Sequence, residues 1–385
     1  MPGRQKKILC VFGTRPEIIK FAPVIGSLRA RNCLQVVLCA TGQHREMQEQ
    51  ALAIFRLKPD YDLHVMTSNQ SLSALTIRLL QKIEPILQHE KPDLIFVQGD
   101  TTTAMAAAVA AFYNKISIIH LEAGLRSHDM MSPWPEEVNR KIVSRLSSLH
   151  LAPTQKAKKN LIDEGVSPDR IHVTGNTVID ALWDIKKRID NNLDCLDKLQ
   201  KKYSFLKKRF ILLTGHRRES HGFKHQKIFD AVKELAMVFD VQVIYPVHLN
   251  PNVKNPAKEA LGSVENIFLM EPVDYTELVY LLSRCHFVIT DSGGIQEEAP
   301  SFGKPVLVTR DVTERTEGIE AGSALLVGTN QEAIFLAAKR LLENAVFYQS
   351  MSQVTNPYGD GHASERISDL FEELYQPREA ESVNE

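Results

Sequence analysis

Short apolar runs in this chain end, one after another, in residues able to do acid–base or anion chemistry. KILCVF runs into GTRPE, which places Arg15 in a strand-to-helix turn and Lys20 in the first turns of the helix. DLIFVQG ends at Asp100 and SIIHL at Glu122, and Glu136 stands in SPWPEEVNR, where Pro135 reads as the first helical residue. His216 and Arg217 follow FILLTG, His248 follows VQVIYPV, and Arg315 comes shortly after PVLVT. Asp100, Glu122 and Glu136 are suited to removing or delivering protons. If they converge on one cleft, they raise one another's pKa values.

HFVITD is followed by Ser292, Gly293 and Gly294, which open a helix carrying Glu298. Ser292 in that place is an N-cap. The same junction also offers free backbone N–H groups to a phosphate, and glycines let it approach. Glu298, one helical turn on, fits ribose hydroxyls. With Arg15 and Arg315, the set describes a site for a nucleotide diphosphate. The first turn lacks the G-x-G-x-x-G fingerprint, so NAD is not expected and the anion is met there by side chains. No HExxH motif occurs and the carboxylates are spread over separate strands, so no metal site is expected.

Elements that hold such residues at strand ends belong to parallel α/β sheets, whose ligands bind beyond the carboxyl ends of the strands. Strand-like runs (KILCVF, QVVLCAT, DLIFVQ, SIIHL, LHLAP) alternate with helical patterns. Leu72, Leu75, Leu79, Ile83 and Ile86 keep one helical face apolar, and TTTAMAAAVAAFY suits a helix packed closely on a sheet. The rhythm weakens between 176 and 209, then restarts with FILLTG, VQVIYPV, IFLM, HFVITD and PVLVT. The reading is a first doubly wound domain over 1–175 and a second over 176–357. A final helix within 358–375 and a loose tail at 376–385 follow.

At 385 residues and a formal charge of −1, the chain has room for two cores and no basic excess for nucleic acid. Five scattered cysteines without a CxxC pair fit a reducing compartment. The absence of a signal peptide or a long apolar stretch reads as cytoplasmic, with no membrane segment.

The blocks GTRPEIIK, QHREM, GDTTT, EAGLRS, SPWPEEVNR, TGNTVIDAL, GHRRES, YPVHLNPNV, TDSGGIQEEAP, TERTEGIEAG and NPYGDGHAS closely resemble the non-hydrolysing UDP-N-acetylglucosamine 2-epimerases, in the same order. The resemblance implies a GT-B-like fold, with two Rossmann-like domains around a central cleft and the last helix returned to the first domain. It implies reversible conversion of UDP-GlcNAc to UDP-ManNAc for surface polysaccharides, without a cofactor, in a homodimer. It makes Asp100, Glu122, Glu136 and His216 the catalytic candidates. Arg15, Lys20, Ser292, Gly293, Gly294, Glu298 and Arg315 become substrate contacts. A second UDP-GlcNAc, acting as activator in some members, would meet Gln43, His44, Arg217 and His248. The chain departs from many relatives at Val273 and Leu278, where they have glutamine and phenylalanine.

The C2 proton of a hexose has no neighbouring carbonyl, so simple deprotonation is too costly. Anti elimination removes H2 and UDP together and leaves 2-acetamidoglucal; UDP adds back after a proton arrives on the other face. Fixed cations and N–H groups suit the departing diphosphate, with Arg15 near the phosphates and Lys20 anchoring the charge network through a carboxylate. Rival readings are a hydrolysing 2-epimerase releasing ManNAc and UDP, an epimerase of another UDP-2-acetamido sugar, a retaining glycosyltransferase, and a non-catalytic UDP-sugar sensor.

Overall fold

The computed structural model describes residues 5–31, 34–43, 45–67, 70–215 and 223–375. They form two compact units, one running to Ala181 and resuming at Gly361, the other spanning Leu182–Asp360. The helix Thr177–Asp190 runs through the change of unit.

The first unit is a seven-stranded parallel sheet made of β1 (Lys7–Phe12), β2 (Gln35–Ala40), β3 (Tyr61–Asp62), β4 (Leu94–Gln98), β5 (Ser117–Leu121), β6 (Leu149–Ala152) and β7 (Ile171–Val173). Its order, β3-β2-β1-β4-β5-β6-β7, reverses direction between β1 and β4. Ile8 to Phe12 of β1 are all fully buried, which is why the strand reads as a continuous apolar run rather than an alternation. The helix Thr102–Tyr113 packs closely on the sheet because its inner face is alanine, and Thr101 caps it by accepting the Ala104 N–H at 3.0 Å.

The last helix, Ala363–Tyr375, belongs to this first unit. Phe371 packs on Phe96 at 5.7 Å, and Phe96 on Phe21 at 5.0 Å, so residues far apart in sequence share one aromatic core. Burying a phenylalanine stabilises by about 1.5–3 kcal/mol. Asp180 caps the helix by accepting the Ser364 N–H at 2.7 Å and the Ser364 hydroxyl at 2.6 Å.

The second unit holds β8 (Phe210–Thr214), β9 (Gln242–Pro246), β10 (Ile267–Met270), β11 (Phe287–Thr290), β12 (Val306–Val308) and β13 (Ala324–Leu326) in the order β10-β9-β8-β11-β12-β13, all parallel. It repeats the same reversal, between β8 and β11. Before β8 lies the helix Leu193–Lys202, whose outer face is solvated, with Lys201 paired to Asp197 at 2.6 Å. Among the described residues no helix is long and apolar enough to cross a membrane.

Candidate active site

In the first unit the carboxyl ends of β1, β4 and β5 carry the candidate groups. Lys20 is buried and its ammonium pairs with Glu122, which also accepts a hydrogen bond from the Gln98 amide. Glu122 adopts a left-handed backbone (φ 63°), an uncommon conformation for a residue with a β-carbon and a local cost of order 1 kcal/mol. Asp100 pairs with Arg140 at 2.5 Å, and its backbone carbonyl accepts the Asn139 amide at 2.8 Å. Arg140 also pairs with Glu137 at 2.9 Å, and Glu137 accepts the Ser127 N–H at 3.1 Å.

This network differs from a cluster of carboxyls perturbing one another. Asp100 and Glu122 are each opposed by a buried cation of their own, Arg140 and Lys20. The helix after SPWP begins at Glu136, with Pro135 preceding it at φ −92° and ψ 9°, outside helical geometry. Pro135 is therefore not the first helical residue. Of the two glutamates there, Glu136 is half-buried at the first helical position, whereas Glu137 is wholly buried and holds Arg140.

The first turn is closed by a residue given no role by sequence reasoning. Glu17 is fully buried and accepts from the N–H groups of Gly13 (3.0 Å) and Thr14 (2.8 Å), and from the hydroxyls of Thr14 (2.7 Å) and Thr101 (2.8 Å). Burial pushes its carboxyl up to about 7, against these hydrogen bonds, which pull it down. Gly13 is forced by crowding, because a β-carbon there would lie 2.2 Å from the Thr41 hydroxyl and 2.6 Å from that of Thr103. Thr103 in turn donates to Gln43 at 2.9 Å. Arg15 is half-buried at the start of the same helix.

In the second unit, Ser292 occupies the N-cap position before the helix Gly293–Glu298 but makes no side-chain capping bond. This helix has only six residues and passes into a 3-10 turn, Ala299–Phe302. So short a helix has little macrodipole, and what it offers an anion is the N–H groups of its first turn. Arg315 lies against that turn: a β-carbon on Gly293 would sit 3.0 Å from its guanidinium carbon. Arg315 donates to Glu297 at 3.0 Å and pairs with Glu314, which also pairs with Arg310 at 2.8 Å. Glu298 is buried and accepts the Tyr275 hydroxyl at 2.9 Å. The Tyr358 hydroxyl donates to the Arg315 carbonyl at 2.9 Å and so braces the loop from the NPYG segment.

Asn250 N–H donates to the exposed His248 ring at 3.1 Å. His44, His216 and Arg217, with the tail 376–385, lie outside the described residues. Among the described residues no group of three or more His, Cys, Asp or Glu side chains is arranged to hold a metal ion.

Arg140, Glu137, Gln98 and Glu17 did not emerge from sequence reasoning, yet all but Gln98 carried a signal. Thr14-x-x-Glu17 is the spacing of a capping box, and Glu137-x-x-Arg140 is an i,i+3 ion pair.

Comparison with known proteins covers both units. A UDP-N-acetylglucosamine 2-epimerase of Yersinia pestis is 50% identical over 364 residues, 94% of this chain and 97% of its own. The UDP-GlcNAc 2-epimerase of Neisseria meningitidis, solved with UDP-GlcNAc bound, superposes with a TM-score of 0.92 at 45% identity, over 95% of this chain and 100% of that one. S. aureus MnaA, solved with UDP, gives 0.88 at 46% identity, over 98% and 99% of the two chains. The fold is the GT-B-like α/β fold of these neighbours. Residues 26–372 match the family described as UDP-N-acetylglucosamine 2-epimerase, a span that takes in Asp100, Glu122, Glu136, Arg140, the Ser-Gly-Gly turn and Arg315, and the chain belongs to that family.

Proposed function

We propose that this protein interconverts UDP-GlcNAc and UDP-ManNAc without net hydrolysis, by anti elimination of UDP to 2-acetamidoglucal and re-addition. The observation that carries the proposal is the placement of Asp100 and Glu122 at the carboxyl ends of adjacent strands, β4 and β5, each held by its own cation. Removing H2 from one face and returning a proton to the other needs two acid/base groups or one that moves. Asp100, Glu122 and Glu136 are the groups assigned to this work, with His216 assigned by family resemblance. The GTRPE and GDTTT turns favour the non-hydrolysing branch over one that lets water capture the glucal.

As UDP leaves, negative charge grows on its bridging oxygen, and donors fixed beforehand stabilise it without reorganising. Arg15, Arg315 and the first-turn N–H groups at Ser292, Gly293 and Gly294 are assigned that role. The ion pairs from Arg315 to Glu297 and Glu314 would hold its guanidinium in place for it. Glu298, oriented by Tyr275, would accept the ribose hydroxyls. We assign Lys20 to holding Glu122 rather than to direct contact with substrate.

Gln43, His44, Arg217 and His248 are proposed as the activator contacts. The protein is proposed to work in the cytoplasm as a homodimer; Ile77, Phe112 and Tyr113 supply exposed apolar surface on the first unit for such a contact.

The test is proton NMR of the purified protein with UDP-GlcNAc in D₂O. UDP-ManNAc carrying deuterium at C2, with deuterium washing into UDP-GlcNAc, is the expected result. Free ManNAc and UDP would move the chain to the hydrolysing branch. An untouched C2 proton would overturn the substrate assignment.

A further inference from the structure

None of the steps above uses the Glu17 carboxylate. Yet it sits at the most informative place in the first sheet, the carboxyl end of β1 next to β4, where the strand order reverses. In a doubly wound sheet that crevice is where a nucleotide rests its phosphates, on the N–H groups of the first turn. Here the N–H groups of Gly13 and Thr14 are already taken, both by Glu17 Oε2. The other oxygen, Oε1, accepts the Thr101 hydroxyl at 2.8 Å. Thr101 directly follows Asp100 and caps the helix Thr102–Tyr113.

We propose that the Glu17 carboxyl group fills the phosphate crevice of the first unit and acts as a positioning residue, tying the turn that bears Arg15 to the turn that bears Asp100. Two consequences follow from the hydrogen bonds. The first turn is closed to a phosphate of the substrate, so in this unit side chains rather than first-turn N–H groups meet the diphosphate. The backbone of Asp100 is set from two sides, by Asn139 at its carbonyl and by the Thr101–Glu17 bond one residue on. Losing Glu17 would leave two N–H groups and two hydroxyls facing an empty, anion-shaped hole.

The kinetic part of this inference rests on the epimerase reading; the crevice part does not. The experiment uses the full-length Glu17→Ala protein, with sodium formate as the probe and sodium chloride at equal ionic strength as the control. Thermal denaturation and steady-state epimerisation are both read. Misplacing a reacting group by about 1 Å costs roughly 100-fold, so kcat is expected to fall by about that factor while KM stays within about threefold. Formate, and not chloride, should raise the melting temperature of the variant and recover kcat at least about tenfold, leaving wild type unchanged.

A variant with wild-type kcat and no response to formate overturns the proposal. Formate that stabilises the variant without recovering kcat overturns the positioning role. If Glu17→Ala does not fold, Glu17→Gln replaces it. That variant keeps the shape but turns an N–H₂ toward donors, and an unchanged kcat there refutes the inference. If wild type itself lacks epimerase activity, the functional reading has failed, and formate-dependent stabilisation of Glu17→Ala still decides the crevice claim.

Discussion

Replacing Arg140 with methionine tests the charge network at its centre. Methionine keeps much of the stem volume and removes the guanidinium. Arg140 meets two carboxylates of unlike exposure: the Glu137 side chain is wholly buried, while that of Asp100 is 26% exposed. Asp100 can turn to water, so losing its partner should cost no more than about 1 kcal/mol, as for accessible ion pairs. Glu137 cannot. A buried charge stripped of its partner costs about 3–5 kcal/mol, so nearly all of the loss should arise at Glu137.

That attribution makes a second prediction inside the first. In Arg140→Met/Glu137→Gln, the orphaned charge is gone and the glutamine oxygen can still accept the Ser127 N–H. The double variant should therefore recover roughly 2 kcal/mol of the loss, since removing both partners of a buried pair is often near neutral. Because the chain has two units, a single melting curve is a poor assay. Hydrogen exchange of the β4 and β5 amides reports the opening free energy of the first unit alone. A single variant costing under about 1 kcal/mol, or a double variant no more stable than the single, would refute the reasoning.

Two further outcomes follow from the geometry. Gly293→Ala pushes a β-carbon to 3.0 Å from the Arg315 guanidinium carbon, and Glu297 and Glu314 tether that side chain, so UDP affinity should fall roughly tenfold or more by calorimetry; an unchanged Kd would show that Arg315 can move aside. His120 donates from Nε2 to the Gly99 carbonyl at 2.8 Å, and burial, with lesser contributions from His150, Arg126 and Arg140, pushes its imidazole from 6.5 down to about 3. Its folded pKa is depressed, so the stability it contributes is present above pH 6.5 and is lost as pH falls toward 3. At pH 5 wild type should have lost about 2 kcal/mol more than His120→Gln, which keeps the donor without the titration; parallel pH–stability curves for the two proteins would contradict this.

The strands that periodicity does not reveal are instructive. β3, β7 and β13 have only two or three residues each, and all three lie at sheet edges. Each offers a run of two or three residues, too short to show a period, whereas the longer edge strand β10 reads as IFLM. The central strands, buried on both faces, stand out as runs such as ILCVF. The site divides in a similar way. Arg15, Asp100, Glu122 and the Ser-Gly-Gly turn are visible because each follows a recognisable strand. Arg140 and Glu137 sit one turn inside a helix, where an i,i+3 pair looks like any surface ion pair until burial is known.

The amino-acid sequence by itself therefore determined the α/β alternation, the strand-end positions of the charged residues and the family, because apolar runs and motif blocks are local. Tertiary structure alone decided what each charge faces. It set Lys20 against Glu122, which is 102 residues away, and Asp100 against Arg140. It also turned Glu17 inward, onto the N–H groups of its own turn and the hydroxyl of Thr101, 84 residues on. The physical reason is that an ion pair or a buried carboxylate is defined by its partners and by the water it has lost. Both are fixed only when distant strands are laid side by side.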